Sequence, residues 1–313
     1  MTEYLSYFLI PFITGMVAIF LLIKFSQKTH FLVDIAKGDE LKIHQKPTPL
    51  LGGLGMAVAI LVGLLLFTPT NDVNKTVALL VGGCIIFLVM FWDDFKWKHI
   101  STRKPFLKFS ILILSTVIPA VILASAGITF NFIPVSFVAV VLGALFIFTV
   151  VNSVNYQDGM DGLAGGLVLI SLAGFLYLGL LYDVAFVVAI SLAALGAVAS
   201  FLVFNFPPAK IFMGDSGAYS LGFLLTAIAM LFSRPFNVYS ILGPLLIIGL
   251  PVVDGVFTNL RRIASGKSIL LGDRSHFYDR LMQGGFSIKK TLFICYLLQA
   301  VLVVLGVVLY TYA

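Results

Sequence analysis

The chain has 313 residues, 60% of them hydrophobic and only 11% charged, and its mean hydropathy is +1.08. A water-soluble domain of that size needs far more charge on its surface, so composition excludes one and predicts a polytopic membrane protein. The net charge of +6 does not require a nucleic-acid partner, because the placement of the basic residues along the chain has a better explanation, given below. Cys84 and Cys295 both fall in apolar runs and form neither a metal motif nor a disulfide framework, so they read as buried thiols.

A hydrocarbon core is crossed by about 20 apolar residues in a helix. That ruler gives ten spans, at 5–25, 49–67, 76–92, 107–126, 133–152, 163–181, 184–204, 217–232, 237–257 and 291–311. The first lacks a positive leading region and a small-residue cleavage site and carries Glu3, so it reads as a retained helix, not a signal peptide. Nothing in composition divides the chain, and residues 1–313 read as one all-α transmembrane domain. The loops after spans 1, 3, 5, 7 and 9 hold 5, 5, 0, 1 and 7 Lys or Arg, which is 18 of the 20 in the chain. The positive-inside rule then puts those five loops in the cytoplasm and both termini outside. The same face receives all four histidines and ten of the fourteen carboxylates. Polar chemistry is therefore expected at one cytoplasmic face.

The first loop of that face contains KIHQKPTPLLGG, residues 42–53. Its prolines stiffen the approach to span 2, and Gly52, Gly53 and Gly55 permit close backbone contact. Lys42, His44 and Lys46 suit an anionic substrate, and equally an ordinary positive-inside loop. Span 3 ends in the adjacent acids Asp93 and Asp94, which would point about 100° apart on a helix. They suit a divalent metal or a general base. A mere helix-ending cluster is the competing reading, weakened because acids are disfavoured at a helix C-terminus. Arg103, Lys104 and Lys108 follow and suit phosphates or anionic lipid headgroups.

After span 5 comes NSVNYQDGMDGLAGG, residues 152–166, where two acids appear beyond an apolar run. If that segment is helical, a spacing of three puts Asp158 and Asp161 on one face. Acids at the edge of a hydrocarbon span are costly unless water, a cation or a partner compensates them. After span 7, FNFPPAKIFMGDSGAYSLG places Asn205 before a double proline and Asp215 at the start of span 8. Asp215 alone reads as an N-cap; with Asp93, Asp94, Asp158 and Asp161 on the same face, an oxygen-ligand Mg²⁺ site is the better reading. Asp254 lies inside span 9, either as a functional intramembrane acid or as the partner of a neighbouring loop. In the last loop, Gly266–Ser268 mimics a Walker motif, but Arg261 stands where that motif needs glycine. His276 follows among Asp273, Arg274, Asp279 and Arg280, as a solvated loop residue or one that orients a sugar nucleotide.

Taken together, HQKPTPLLGG, the WDD pair, NSVNYQDGMDGLAGG and FNFPPAKIFMGDSGAYSLG resemble the polyprenyl-phosphate N-acetylhexosamine-1-phosphate transferases, glycosyltransferase family 4. Their order, the ten spans and the length agree as well. The resemblance is nearest to the branch that makes polyprenyl-diphosphate N-acetylglucosamine, which includes the teichoic-acid and O-antigen initiators; the neighbouring branch moves a phospho-N-acetylmuramoyl pentapeptide. It implies a UDP-N-acetylhexosamine donor, a polyprenyl phosphate acceptor in the plasma membrane, UMP as the leaving product, and Mg²⁺ with Mn²⁺ as a substitute. Membrane lipids and a second copy of the chain, but no nucleic acid, complete the implied partners.

Residue by residue, the resemblance gives catalytic roles to Asp93 and Asp94 and metal roles to Asp215, Asp161 and Asp158. It gives substrate-binding roles to Lys46, Asn155, His276, Arg274, Lys104 and Asn205. The chain departs from the family pattern where His276, Phe277, Tyr278 and Asp279 replace a His-x-His-His element, and where Pro105 replaces an expected lysine. The expected chemistry is direct in-line attack by the lipid phosphate on the sugar-linked phosphorus, with a covalent route through Asp93 or Asp94 as the alternative. The alternative of a different class is an ion-coupled transporter, for which acids belong near the bilayer midplane; here only Asp254 does.

Overall fold

The computed structural model describes residues 2–34, 47–97, 105–266 and 275–312. Lys46, Lys104 and Arg274 lie outside the described residues. Helices dominate: α1 (Thr2–Thr29), α2 (Gly52–Phe67), α3 (Val73–Trp92), α4 (Pro105–Ser125), α5 (Ser136–Tyr156), α6 (Leu163–Leu181), α7 (Ala185–Asn205), α8 (Gly214–Leu231), α9 (Tyr239–Ile248), α10 (Leu250–Ala264), α11 (Phe277–Gln283) and α12 (Ile288–Thr311). The strands described are β1 (Val33–Asp34) and β2 (Thr48–Pro49), an antiparallel pair with Val33 opposite Pro49.

Each of the ten apolar stretches coincides with helix. Among the described residues, six helices are long and apolar enough to cross a membrane: α1, α3 with its flanking turns, α5, α6, α7 and α12. The count is seven if the bent pair α9 and α10 forms one span, while α2 and the apolar part of α4 are shorter. These helices make the chain a polytopic membrane protein. Burial orders them: 72% of the apolar window of α7 is covered by neighbours, against 22% in α1 and 28% in α12. So α7 is central, and the outer helices turn Ile13, Leu21, Phe293 and Val304 outward, which suits hydrocarbon. Of the two thiols, Cys295 is buried, but Cys84 is exposed on the outer surface of α3, which corrects the reading of both as buried.

The ninth stretch is not one straight helix. It breaks at Gly249 (φ +62°), and α9 and α10 meet at 92°. A break at this depth frees backbone groups that hydrocarbon cannot satisfy. Gln299, fully buried on α12, satisfies them: its Oε1 accepts the Leu250 N–H at 2.8 Å, and its Nε2 donates to the Ile247 carbonyl at 2.9 Å and to Ser171 Oγ at 2.9 Å. One buried amide on α12 therefore stabilises a bend 50 residues earlier in the chain, by about the net value of a few buried hydrogen bonds, each roughly 1 kcal/mol.

The two ends of the bundle differ in chemistry. At one end the turns after α2, α4, α6 and α8 gather aromatic and paired groups: Tyr7 stacks on Phe67, Lys75 pairs with Asp72 at 2.7 Å, and Arg234 lies over the rings of Tyr182 and Tyr310. The start of α1 and the finish of α12 are at this end. The loops after α1, α3, α5, α7 and α10 meet at the other end, where the acids are.

Candidate active site

The site end is built on an interlock of backbones. Leu50 N–H donates to the Leu32 carbonyl and Phe212 N–H to the Pro49 carbonyl, both at 2.8 Å. Gly52 N–H then donates to Phe212 and Gly53 N–H to Met213, at 2.9 and 3.0 Å. Glycine is required here: a Cβ on Gly53 would meet the Cα and N of Gly217 at 2.6 Å, and one on Gly217 would meet Gly53 Cα at 2.8 Å. The glycines of the first loop thus do allow close backbone approach, and what they approach is the GDSG segment.

That contact fixes the start of α8, which takes its cap from elsewhere in the chain. Asp94 Oδ1 accepts the N–H of Asp215 and Asp94 Oδ2 that of Ser216, each at 3.1 Å. Two of the N–H groups that a helix start leaves unpaired are thereby satisfied, and a carboxylate stands at the positive end of the helix dipole. Asp93 and Asp94 lie in a π-helical turn, Asp93–Trp97, that continues α3. Asp94, at the end of α3, is thus compensated by the start of α8. Asp93 itself is 8% exposed. Gly214 takes φ +70° beside this cap, where a Cβ would sit 2.7 Å from Asp94 Oδ2. Asp215 therefore does not cap its own helix; its side chain is half-buried in the first turn.

Asp158 and Asp161 do not share a helical face, contrary to the expectation from their spacing. Helix α5 ends at Tyr156 and α6 starts at Leu163, so both acids sit in the intervening turn, closed by Gly162 at φ +79°. Three tethers hold it. Asp161 Oδ2 accepts the Ala209 N–H at 2.9 Å. Gly162 N–H donates to Asn205 Oδ1 at 2.9 Å, while Asn205 Nδ2 donates to the Ile211 carbonyl at 2.8 Å. Tyr296 Oη donates to the Gly162 carbonyl at 2.6 Å. Asn205, expected to bind substrate, is 3% exposed and has both ends of its amide engaged, so it ties the α5–α6 turn to the α7–α8 loop. Asn155 stands half-buried beside the turn, its carbonyl accepting the Asp158 N–H at 3.1 Å.

Burial first, then the like charges of Asp215, Asp94 and Asp161, hold the Asp158 carboxyl well above the usual carboxylate range. The acids of three separate loops are therefore close enough to repel one another, a cost that a cation would reverse. Among the described residues, no three His, Cys, Asp or Glu side chains form a ready ligand cage. The donor set fits a hard cation that takes one or two carboxylates and completes its shell with water and substrate phosphates, as Mg²⁺ does.

A second polar group lies alongside. Asp254, on α10 and 8% exposed, receives His276 Nδ1 on Oδ2 at 2.9 Å and Gln157 Nε2 on the same oxygen at 2.8 Å, while Oδ1 accepts the Phe277 N–H at 2.8 Å. The His276 ring stacks with Tyr156 and with Tyr278, at centroid distances of 4.9 and 6.1 Å. A Cβ on Gly159 would collide with the Tyr278 hydroxyl, so this stack abuts the acid turn. The pairing of Asp254 with a neighbouring loop, one of its two readings, is formed.

Gln157, Tyr156 and Tyr296 are site residues that sequence reasoning passed over, while Tyr278 stood out only as a departure from the family pattern. Gln157 carried a signal, an uncharged amide within an acid-rich turn; Tyr156 and Tyr296 carried none, since aromatic residues are common throughout the chain.

Comparison with known proteins gives the family. The family model described as Glycosyl transferase family 4 matches residues 76–233, half of the chain, and spans Asp93, Asp94, Asp158, Asp161 and Asp215. The chain belongs to this family. Among its relatives is a probable undecaprenyl-phosphate N-acetylglucosaminyl 1-phosphate transferase of Bacillus subtilis (strain 168), 30% identical over 86% of this chain and 75% of the relative. A decaprenyl-phosphate N-acetylglucosaminephosphotransferase of Mycobacterium tuberculosis (strain ATCC 25618 / H37Rv) is 30% identical over 84% and 72%. A phospho-N-acetylmuramoyl-pentapeptide-transferase of Lactobacillus helveticus (strain DPC 4571) is 30% identical over 69% and 71%. The family-4 chain is thus a transferase and a multi-pass protein of the plasma membrane, and the transporter reading falls away.

Proposed function

We propose that this family-4 transferase moves N-acetylglucosamine-1-phosphate from its UDP-sugar to a polyprenyl phosphate, releasing UMP and forming a polyprenyl-diphosphate sugar. The observation that carries it is the meeting of acids from three loops at one end of a membrane bundle, beside the start of α8. A donor that is water-soluble and an acceptor that is lipid-bound must meet at such an end, and with the positive-inside loops that end faces the cytoplasm. The sugar follows the relatives named for N-acetylglucosamine. The relative named for phospho-N-acetylmuramoyl pentapeptide supports the second reading, transfer of that larger group.

Mg²⁺ held by one or two of Asp215, Asp158 and Asp161 would neutralise the donor diphosphate and the departing UMP. Asp94 positions: with both oxygens accepting helix N–H groups, it anchors α8 and the Asp215 carried on it. That engagement favours direct attack by the lipid phosphate over an aspartyl intermediate at Asp94. The acceptor needs little help from a base, since a phosphate monoester with a second pKa near 6 is largely dianionic at neutral pH. His276 and Asn155 line the donor side, with Lys46, Lys104 and Arg274 as the cations of the flanking loops.

The test is UMP release by purified protein given polyprenyl phosphate, Mg²⁺ and a panel of UDP-N-acetylglucosamine, UDP-N-acetylgalactosamine and UDP-N-acetylmuramoyl pentapeptide. UMP from the first alone supports the reading, and UMP from the third alone moves it to the second. Silence with every donor, with Asp215→Asn indistinguishable from wild type, overturns it.

A further inference from the structure

We infer that Asp254 is a positioning residue for the transfer reaction: it locks His276 into one ring orientation and one tautomer, leaving Nε2 as the nitrogen presented to the donor. This rests on the proposed function in one respect only, that the donor binds beside the acid turn.

The geometry is that of a carboxylate saturated with donors. Asp254 accepts from Gln157 Nε2, from the Phe277 N–H and, at 3.4 Å, from Thr258 Oγ1, in addition to facing His276 Nδ1. Such a carboxylate is an acceptor only, so the imidazole nitrogen facing it at 2.9 Å must carry the hydrogen. With Nδ1–H committed, a neutral His276 has Nε2 as its lone-pair acceptor. Ring rotation is restricted as well, because Tyr156 and Tyr278 both stack on the imidazole. The backbone is held by the same helix: Phe277 N–H by Asp254 and the Ser275 carbonyl by Arg261, at 2.6 Å. Thus α10 grips the residues on both sides of His276 and the ring itself.

The consequence for the donor follows from where the neighbours lead. Tyr156 and Gln157 are the last residue of α5 and the first of the turn that carries Asp158. Gln157 therefore joins the acid turn to the Asp254–His276 pair by one hydrogen bond, and Tyr278 closes on Gly159 from the other side. A ring fixed in this frame offers a directional acceptor to a group such as a sugar hydroxyl, amide N–H or base N–H, and not a freely turning one. A buried acid is costly unless it is paired; this one is paired with Gln157, the Phe277 N–H and His276.

The test joins a mutant cycle to a spectroscopic readout. Asp254→Asn should raise the donor KM about 10-fold or more, by analogy with the loss of carboxylates that orient metal-bound histidines, with the polyprenyl-phosphate KM unchanged. In the His276→Ala background the same Asp254→Asn change should add nothing. In ¹⁵N-histidine NMR, the signals that vanish in His276→Gln should report the Nδ1–H tautomer in wild type and a changed tautomer balance in Asp254→Asn. Additive effects of the two substitutions, or an Nε2–H tautomer in wild type, would overturn the inference. Should no donor be turned over at all, the proposed function fails, while the NMR result still decides the Asp254–His276 coupling. If Asp254→Asn does not fold, Gln157→Leu, which keeps the carboxylate but loosens one oxygen, serves in the same cycle with a smaller expected KM change.

Discussion

Asp94 and Asp215 are 121 residues apart in the chain, yet one carboxylate oxygen of Asp94 accepts the backbone N–H of Asp215 at 3.1 Å, and its other oxygen takes the next N–H. Asp94, given a catalytic role by the family resemblance, is thus also a helix cap, and it anchors the helix that carries Asp215. Asp94→Ala should cost about 1–2 kcal/mol, the value of a lost helix cap. Asp94→Asn, with one oxygen left, should cost about half of that, whereas Asp215→Asn should leave stability near wild type while abolishing UMP release. Thermal melts in detergent beside an activity assay would show this ordering. Equal melting of Asp94→Ala and wild type would refute the capping role.

Asn205 supplies a sharper test of the same architecture, because both ends of its amide are used. Asn205→Ala leaves the Gly162 N–H and the Ile211 carbonyl buried without a partner, a loss of about 1–3 kcal/mol for each group. Asn205→Asp keeps the acceptor for Gly162 but sets an anionic oxygen against the Ile211 carbonyl. It should therefore melt no higher than the alanine variant, although it is the more conservative change. A melt close to wild type for Asn205→Asp would mean that the amide is not the tie described.

These two residues show what sequence made legible and what it did not. Hydropathy is local, so each apolar stretch found its helix, and charge sorting anticipated that the loops after α1, α3, α5, α7 and α10 share one end. Which acid caps a helix and which pairs with a histidine depends on contacts between loops far apart in sequence, and no local pattern carries that information. The helical-face argument for Asp158 and Asp161 failed because Gly159 and Gly162 interrupt the helix, a signal that the GMDG spacing did contain. The bend at Gly249 was legible in principle from Pro244, Gly249, Pro251 and the lone Gln299 in an apolar span. Hydrophobic length alone joined the two halves.

The Gly53–Gly217 contact predicts an asymmetry among helical glycines. Gly53→Ala and Gly217→Ala each drive a methyl into the opposing backbone, which has no flexible end to yield. Each should cost about 1–3 kcal/mol as overpacking, and each should also lower activity by displacing α2 from the GDSG segment. Gly143→Ala meets only Met230 Cε at 3.5 Å and should be neutral or gain up to about 1 kcal/mol from helix propensity. Melting temperatures of the three variants check this, and a silent Gly53→Ala would show that α2 and α8 can separate at no cost.

Asp158 carries the prediction for pH and metal. Its carboxyl is held above the ordinary range, by burial first and then by Asp215, Asp94 and Asp161. A group whose folded pKa is raised contributes stability below its unfolded pKa and loses it as pH rises through the folded value. Metal-free protein should therefore melt higher at about pH 5 than at about pH 8 through this group, its unfolded pKa being about 3.9. Asp158→Asn, which removes the charge and keeps the shape, should raise the metal-free melting temperature at the higher pH and flatten the profile. Added Mg²⁺ should stabilise wild type at the higher pH, by opposing the same repulsion, and should stabilise Asp158→Asn less. If Asp158→Asn instead lowers the metal-free melting temperature at both pH values, the acids do not repel one another, and the electrostatic reason for placing a cation between them is lost.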